Sequence, residues 1–209
     1  MKVWSDFFDY VAPLVPGADP SLLELHIRNA AIDFCNDTRA ATYSLPITTV
    51  VGQSSYDISL NGADYTPVII NSARIQTREL KPVTTDYLNG AVLGWRNDQG
   101  TPWAYLSDDP YSVRLYPTPD EATEVVVELS VMPTRSSAGI EDYVYDRYVE
   151  VIAHGAVQRI ASIPQKPYTN PQVAQMAMIE FIKGKAAART EVYKSFTRKS
   201  TQVKLRKKY

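Results

Sequence analysis

Leu23, Ile27, Ala30, Phe34 and Thr38 step along the chain by four, three, four and four, the spacing that lines one face of an α-helix. Asp19 suits an N-cap, Pro20 the first helical position, and Glu24 sits early, where the helix dipole favours an acid. His26, Asn29, Asp33 and Asn36 fall on the opposite side, so the pattern predicts a surface helix packed on one face. A shorter apolar cluster predicts a helix over about residues 4–11, stopped by Pro13 and Pro16-Gly17.

The period changes from about residue 45 to 133, where eight of the 14 prolines fall. Val125, Val127, Leu129 and Val131 alternate with Glu128 and Ser130 as a strand with one buried face. Tyr111, Val113 and Leu115 alternate in the same way with Ser112, Arg114 and Tyr116. The Ser-Asp-Asp-Pro stretch before them predicts a hairpin turn back to a strand over 103–106. Weaker strands fit 47–51, 56–60 and 68–75, and residues 89–102 read as a long loop.

Helical spacing returns after Ile140. Tyr145, Val149, Ile152, Ala156, Ile160 and Ile163 line one face, while Arg147, Glu150, His154 and Gln158 line another. A last helix begins with Asn170 as cap and Pro171 at the first position. Its stripe is Ala174, Met178, Phe181, Ala188, Val192 and Phe196, interrupted by Lys185. The order predicts an α+β fold, a helical bundle of two N-terminal and two C-terminal helices with a small antiparallel β module inserted. The expected segments are bundle helices at 1–44, the β module at 45–134, bundle helices at 135–196 and a basic tail at 197–209.

Charge alters that picture. The net formal charge is only -1, yet residues 183–209 hold ten basic and one acidic residue, a net of +9. The remaining 12 basic and 22 acidic residues leave a body of -10. Such a split points the tail toward an acidic protein surface or a nucleic acid. One cysteine, Cys35, cannot form an internal disulfide, which suggests a reducing compartment. The first residues mix acids with aromatics and are not expected to act as a signal peptide, and no stretch suggests a membrane span.

Candidate chemistry is sparse. The two histidines, His26 and His154, both fall on expected polar helix faces, and His154 could pair with Glu150 one turn earlier. With one cysteine far from either, zinc-ligand spacing is absent, as are a nucleophile elbow, a phosphate loop and a dinucleotide fingerprint. Asp108 and Asp109 precede a proline, where acids are routine in turns. The expectation is therefore no catalytic residues, no cofactor and no metal site. Contact surface is plentiful, with 14 tyrosines and three tryptophans. They fit either an interface or the core of a small sheet.

Three stretches carry a resemblance: the N-terminal run ending at Phe34 and Cys35, the middle run closing on Tyr116, Pro117 and Pro119, and the helix with the step His154, Gly155, Ala156. In this order they resemble the head-to-tail adaptor family of tailed bacteriophages, especially the short-tailed type. The resemblance implies a virion neck protein, assembled in the host cytoplasm, that forms a ring of about twelve copies under the portal. The ring would extend the DNA channel and offer a platform to a tail or nozzle protein, with genomic DNA passing without sequence-specific binding and no membrane partner. It also implies portal docking through the C-terminal residues Lys194, Arg198, Lys199, Val203, Lys204, Leu205, Arg206, Lys207, Lys208 and Tyr209. The alternative is a DNA-binding packaging or regulatory protein that uses the same tail, because lysine and arginine neutralise phosphates. Gly155 and Ala156 would permit close helix packing, between subunits or within one chain.

Overall fold

The computed structural model describes residues 1–60 and 64–194. Strand β1 (Lys2–Val3) leads into a 3-10 turn at Trp4–Phe7, helix α1 (Phe8–Val11) and a second 3-10 turn at Ala12–Leu14. The single helix expected over 4–11 is thus split. Trp4 and Phe7 are both buried, and 3-10 winding brings positions three apart onto one line, which serves that burial.

Helix α2 (Pro20–Thr38) starts as its sequence asks, with the Ser21 N–H donating to the Asp19 carboxylate at 2.8 Å. All five expected stripe positions are buried, joined by Ala31 and Cys35. It ends at Arg39, left-handed at φ 58°, whose N–H donates to the Cys35 carbonyl at 2.9 Å.

The chain continues as β2 (Thr42–Thr48), β3 (Ser55–Asp57), β4 (Tyr65–Ile75), β5 (Arg78–Glu79) and β6 (Lys81–Pro82). After helix α3 (Thr85–Ala91) come β7 (Ala104–Leu106), β8 (Ser112–Tyr116), β9 (Glu124–Pro133) and β10 (Gly139–Ile140), then α4 (Asp142–Ala161) and α5 (Pro171–Tyr193). Among the described residues the strands form one sheet in the order β2-β9-β4-β5, a second in the order β3-β8-β7-β6, and a ribbon of β1 and β10. Close approach in that ribbon needs glycine: a Cβ on Gly139 would stand 2.0 Å from the Lys2 carbonyl oxygen.

The structure corrects several boundaries. The strand expected at 47–51 runs over Thr42–Thr48, because Thr49 is buried with its hydroxyl donating to the Glu121 and Thr123 carbonyls, and a turn follows. β4 is longer than expected because register shifts after Pro67 and Ile70 carry it along β9. β6 runs parallel to β7, so the second sheet is not wholly antiparallel. The loop expected at 89–102 begins inside α3, which Thr84 caps by accepting from the Tyr87 N–H at 3.2 Å.

One core runs through helices and both sheets. Val125, Val127, Leu129 and Val131 of β9 are buried as expected, in the same cluster as Phe34, Ile152 and Phe181. α4 packs against α2 and α5, and α2 also rests on β9. A second, smaller cluster gathers Leu88, Trp95, Ala104, Leu106 and Tyr116.

Candidate functional site

Of the expected docking residues, the described part of the chain contains Lys194 alone. Arg198, Lys199, Val203, Lys204, Leu205, Arg206, Lys207, Lys208 and Tyr209, together with Phe196 of the expected stripe, lie outside the described residues. Lys194 is exposed and closes α5, its N–H donating to the Thr190 carbonyl at 3.2 Å. The end of α5 is held firmly. Lys185, expected as an interruption of the stripe, instead pairs with Asp37 at 2.6 Å and Asp33 at 3.2 Å and lies 4.6 Å from the Phe181 ring centre. Asp33 also takes Arg159 of α4 at 3.0 Å. Farther along, the Tyr148 hydroxyl donates to Glu191 at 2.9 Å and Arg189 donates to the Asp37 carbonyl.

Beside this end of α5 opens a cleft of about 1050 Å³ between the helix termini and the first sheet. Asp37, Arg39, Asn71, Tyr143, Arg189 and Tyr193 supply its polar and aromatic lining. Tyr143 braces it, accepting from the Thr42 N–H at 3.0 Å and donating to the Ala40 carbonyl at 2.9 Å.

The histidines are less solvated than their helical positions suggested. Both are half-buried, and the Nδ1 atom of each is buried without a hydrogen-bond partner. No ion pair joins His154 to Glu150 among the described residues. Burial, and secondarily the Arg159 guanidinium, holds the His26 imidazole below its usual value. Cys35 is fully enclosed, and burial pushes its thiol up to about 12. Asp109 works inside the hairpin turn, accepting from the Ser112 hydroxyl at 2.6 Å and the Tyr111 N–H at 2.7 Å, which lowers its carboxyl below the usual value. Among the described residues, no group of three or more His, Cys, Asp or Glu is placed to hold a metal ion. No described helix is long and apolar enough to cross a membrane.

The tyrosines divide between the two roles the sequence left open. Tyr56, Tyr65, Tyr105, Tyr116, Tyr148 and Tyr168 are buried, whereas Tyr10, Tyr43, Tyr87, Tyr111, Tyr143 and Tyr193 are exposed. Gly155 is spent within the chain, facing Phe181 and Ala30 at an intrachain crossing. Met178 is a correction: it is exposed, and Ala177 takes its place on the buried face with Ala174, Phe181 and Ala188. Sequence reasoning also missed that Met176, Ile179 and Ile182 stand exposed on the same helix. The signal was present, since α5 carries more large apolar residues than one buried face can use.

A family model described as SU10 adaptor protein matches residues 4–202. Comparison with curated proteins finds no match.

Proposed function

Because the chain belongs to the SU10 adaptor protein family, we propose that it acts as a head-to-tail adaptor in the neck of a tailed bacteriophage. In this reading about twelve copies form a ring under the portal, extend the DNA channel and provide the attachment platform for the tail. The carrying observation is the family match over residues 4–202, nearly the whole chain. The role is structural rather than catalytic, with both histidines half-buried on helices and Cys35 enclosed in the core.

The basic C-terminal residues dock on an acidic surface of the portal. Lysines and arginines from Lys194 to Lys208 face its carboxylates, and Val203, Leu205 and Tyr209 supply apolar anchors. A DNA channel gains little from a ring of exposed cations, which would grip a sliding polyanion. The genome therefore passes without sequence-specific contact. The anchoring of α5 by Lys185, Asp33 and Asp37 supports this reading, because it fixes where Lys194 leaves the body.

Deleting residues 197–209 and imaging the protein with its portal tests the proposal. The expected outcome is an intact fold by circular dichroism and loss of portal docking. A truncated chain that docks with full affinity overturns the assignment of the tail to the portal. If the deletion instead abolishes salt-dependent DNA binding, DNA is the tail's partner.

A further inference from the structure

Helix α5 buries one face against α2 and α4, and among the described residues a second apolar face of it is left uncovered. Met178 is 51% exposed, Ile179 45% and Ile182 52%. At 100° per residue these three, with Ala186, fall within one broad stripe beside the buried line of Ala174, Phe181 and Ala188. Lys183, paired with Glu180 at 2.9 Å, lies beside Ile179 at the edge of the stripe, and Arg189 falls within it, between the lines of Met178 and Ile182. Among the described residues Arg189 has no carboxylate partner, and its Nε–H donates to the Asp37 backbone carbonyl. Helix formers alone do not require two isoleucines and a methionine facing water, and an apolar surface rimmed by charge marks a contact site.

A different flank of the same molecule offers the complement. α1 packs on α4, and the 3-10 turn before it meets Tyr145 of α4, whose ring stands edge-on to Phe7 and whose hydroxyl donates to the Asp6 carbonyl at 3.0 Å. α5 meets α4 elsewhere, at Val151 and Gly155. On the α1 flank Tyr10 and Leu14, four apart, are 41% and 43% exposed. Asp6, Asp9 and Asp146 lie close enough to raise the Tyr145 hydroxyl above its usual value, though burial of that hydroxyl is the larger cause. Asp142 pairs with the N-terminal ammonium, and Lys2 sits 5.4 Å from the Tyr145 ring centre, so the flank keeps an acidic excess.

We propose that the α5 stripe of one copy seats against the Tyr10–Leu14 flank of the next copy, with Ile182 as the central contact. Two different patches in contact make a heterologous interface, which repeats from copy to copy and closes when the rotation allows. Arg189 of one patch then meets the acidic excess of the other, which sets orientation as well as attraction. This inference rests on the ring reading above and names the surfaces that form the ring.

The test uses the full chain with its portal. Ile182→Asp changes an exposed residue, so the free subunit should melt as the wild type does. Its rings on the portal should be lost or their assembly weakened by about tenfold or more. In a second chain, Tyr10→Cys together with Ile182→Cys should give, on oxidation, a ladder of covalent oligomers. The singly substituted chains should give no ladder. Rings of Ile182→Asp indistinguishable from wild type, or a doubly substituted chain that stops at a dimer, would overturn the proposed surfaces. Rings that form normally but fail to dock would assign the α5 stripe to the portal and also overturn them. A wild-type chain that never assembles or docks is a different result, because it sinks the adaptor reading itself.

Discussion

Cys35 is enclosed by α2 and the core, and burial pushes its thiol from 9.0 up to about 12. Since the thiolate is the reactive form, the native protein at pH 8 should resist aromatic disulfide reagents and react fully only after unfolding. Labelling in the native state at the unfolded rate would contradict the enclosure. The same shift has a pH consequence. Between about pH 9 and 12 the unfolded chain releases the thiol proton while the folded chain keeps it, so stability should fall as pH rises through that window. His26 acts at the other end of the scale, because its folded value lies below 6.5. As pH falls below 6.5, the unfolded chain takes up the proton more readily, and stability should be lost. Urea midpoints at pH 7.5 and 5.5 should therefore separate more for the wild type than for His26→Leu. Equal separations would mean that another group governs the acid limb.

At the scale of the helices, close approach decides stability. A Cβ on Gly155 would lie 2.8 Å from the Phe181 ring and 3.0 Å from the Ala30 methyl. On Gly184 it would lie 2.5 and 2.6 Å from the two methyls of Val151, so turning that side chain cannot clear both. Replacing a helical glycine by alanine ordinarily gains about 1 kcal/mol of helix propensity. Overpacking a tight contact costs about 1–3 kcal/mol, and here overpacking should win. Gly155→Ala and Gly184→Ala are each expected to lower the stability of the subunit, read as a reduced urea midpoint with an unchanged slope. A stabilised Gly184→Ala chain would show that α4 and α5 separate easily.

For the whole molecule, charge separation is the governing fact. Residues 183–209 carry a net +9 against -10 elsewhere, and removing residues 197–209 takes away six of the basic groups, moving the total from -1 to -7. Attraction between exposed charges is screened over about 10 Å at 0.1 M salt. Docking of the intact chain on the portal should therefore weaken steadily as salt rises, while the fold, held by one shared apolar core, should not. Docking unaffected by salt would assign its energy to the apolar residues Val203, Leu205 and Tyr209 and not to the charges around them.

The features legible from sequence are those with local causes. Asp19 and Asn170 cap α2 and α5 because their side chains reach backbone N–H groups two or three residues on. The alternation of β9 survives because the strand's pleat places Val125, Val127, Leu129 and Val131 on one side whatever lies there. The split between an acidic body and a basic C-terminal stretch is likewise a property of sequence alone, and the three stretches of family resemblance pointed to the adaptor family that the match supports. Tertiary structure decided the rest. The pairing of β1 with β10 joins residues more than 130 positions apart. Trp95 is buried only because Leu88, Leu106 and Tyr116 converge on it. Lys185 reads as a flaw in an apolar stripe until Asp33 and Asp37 of α2 stand opposite. The same holds for the faces of α5, where helical spacing allowed Met178 inside but the positions of α2 and α4 covered Ala177 instead. Periodicity defines which residues share a face, and only the neighbouring elements determine which face is left to water or to another copy.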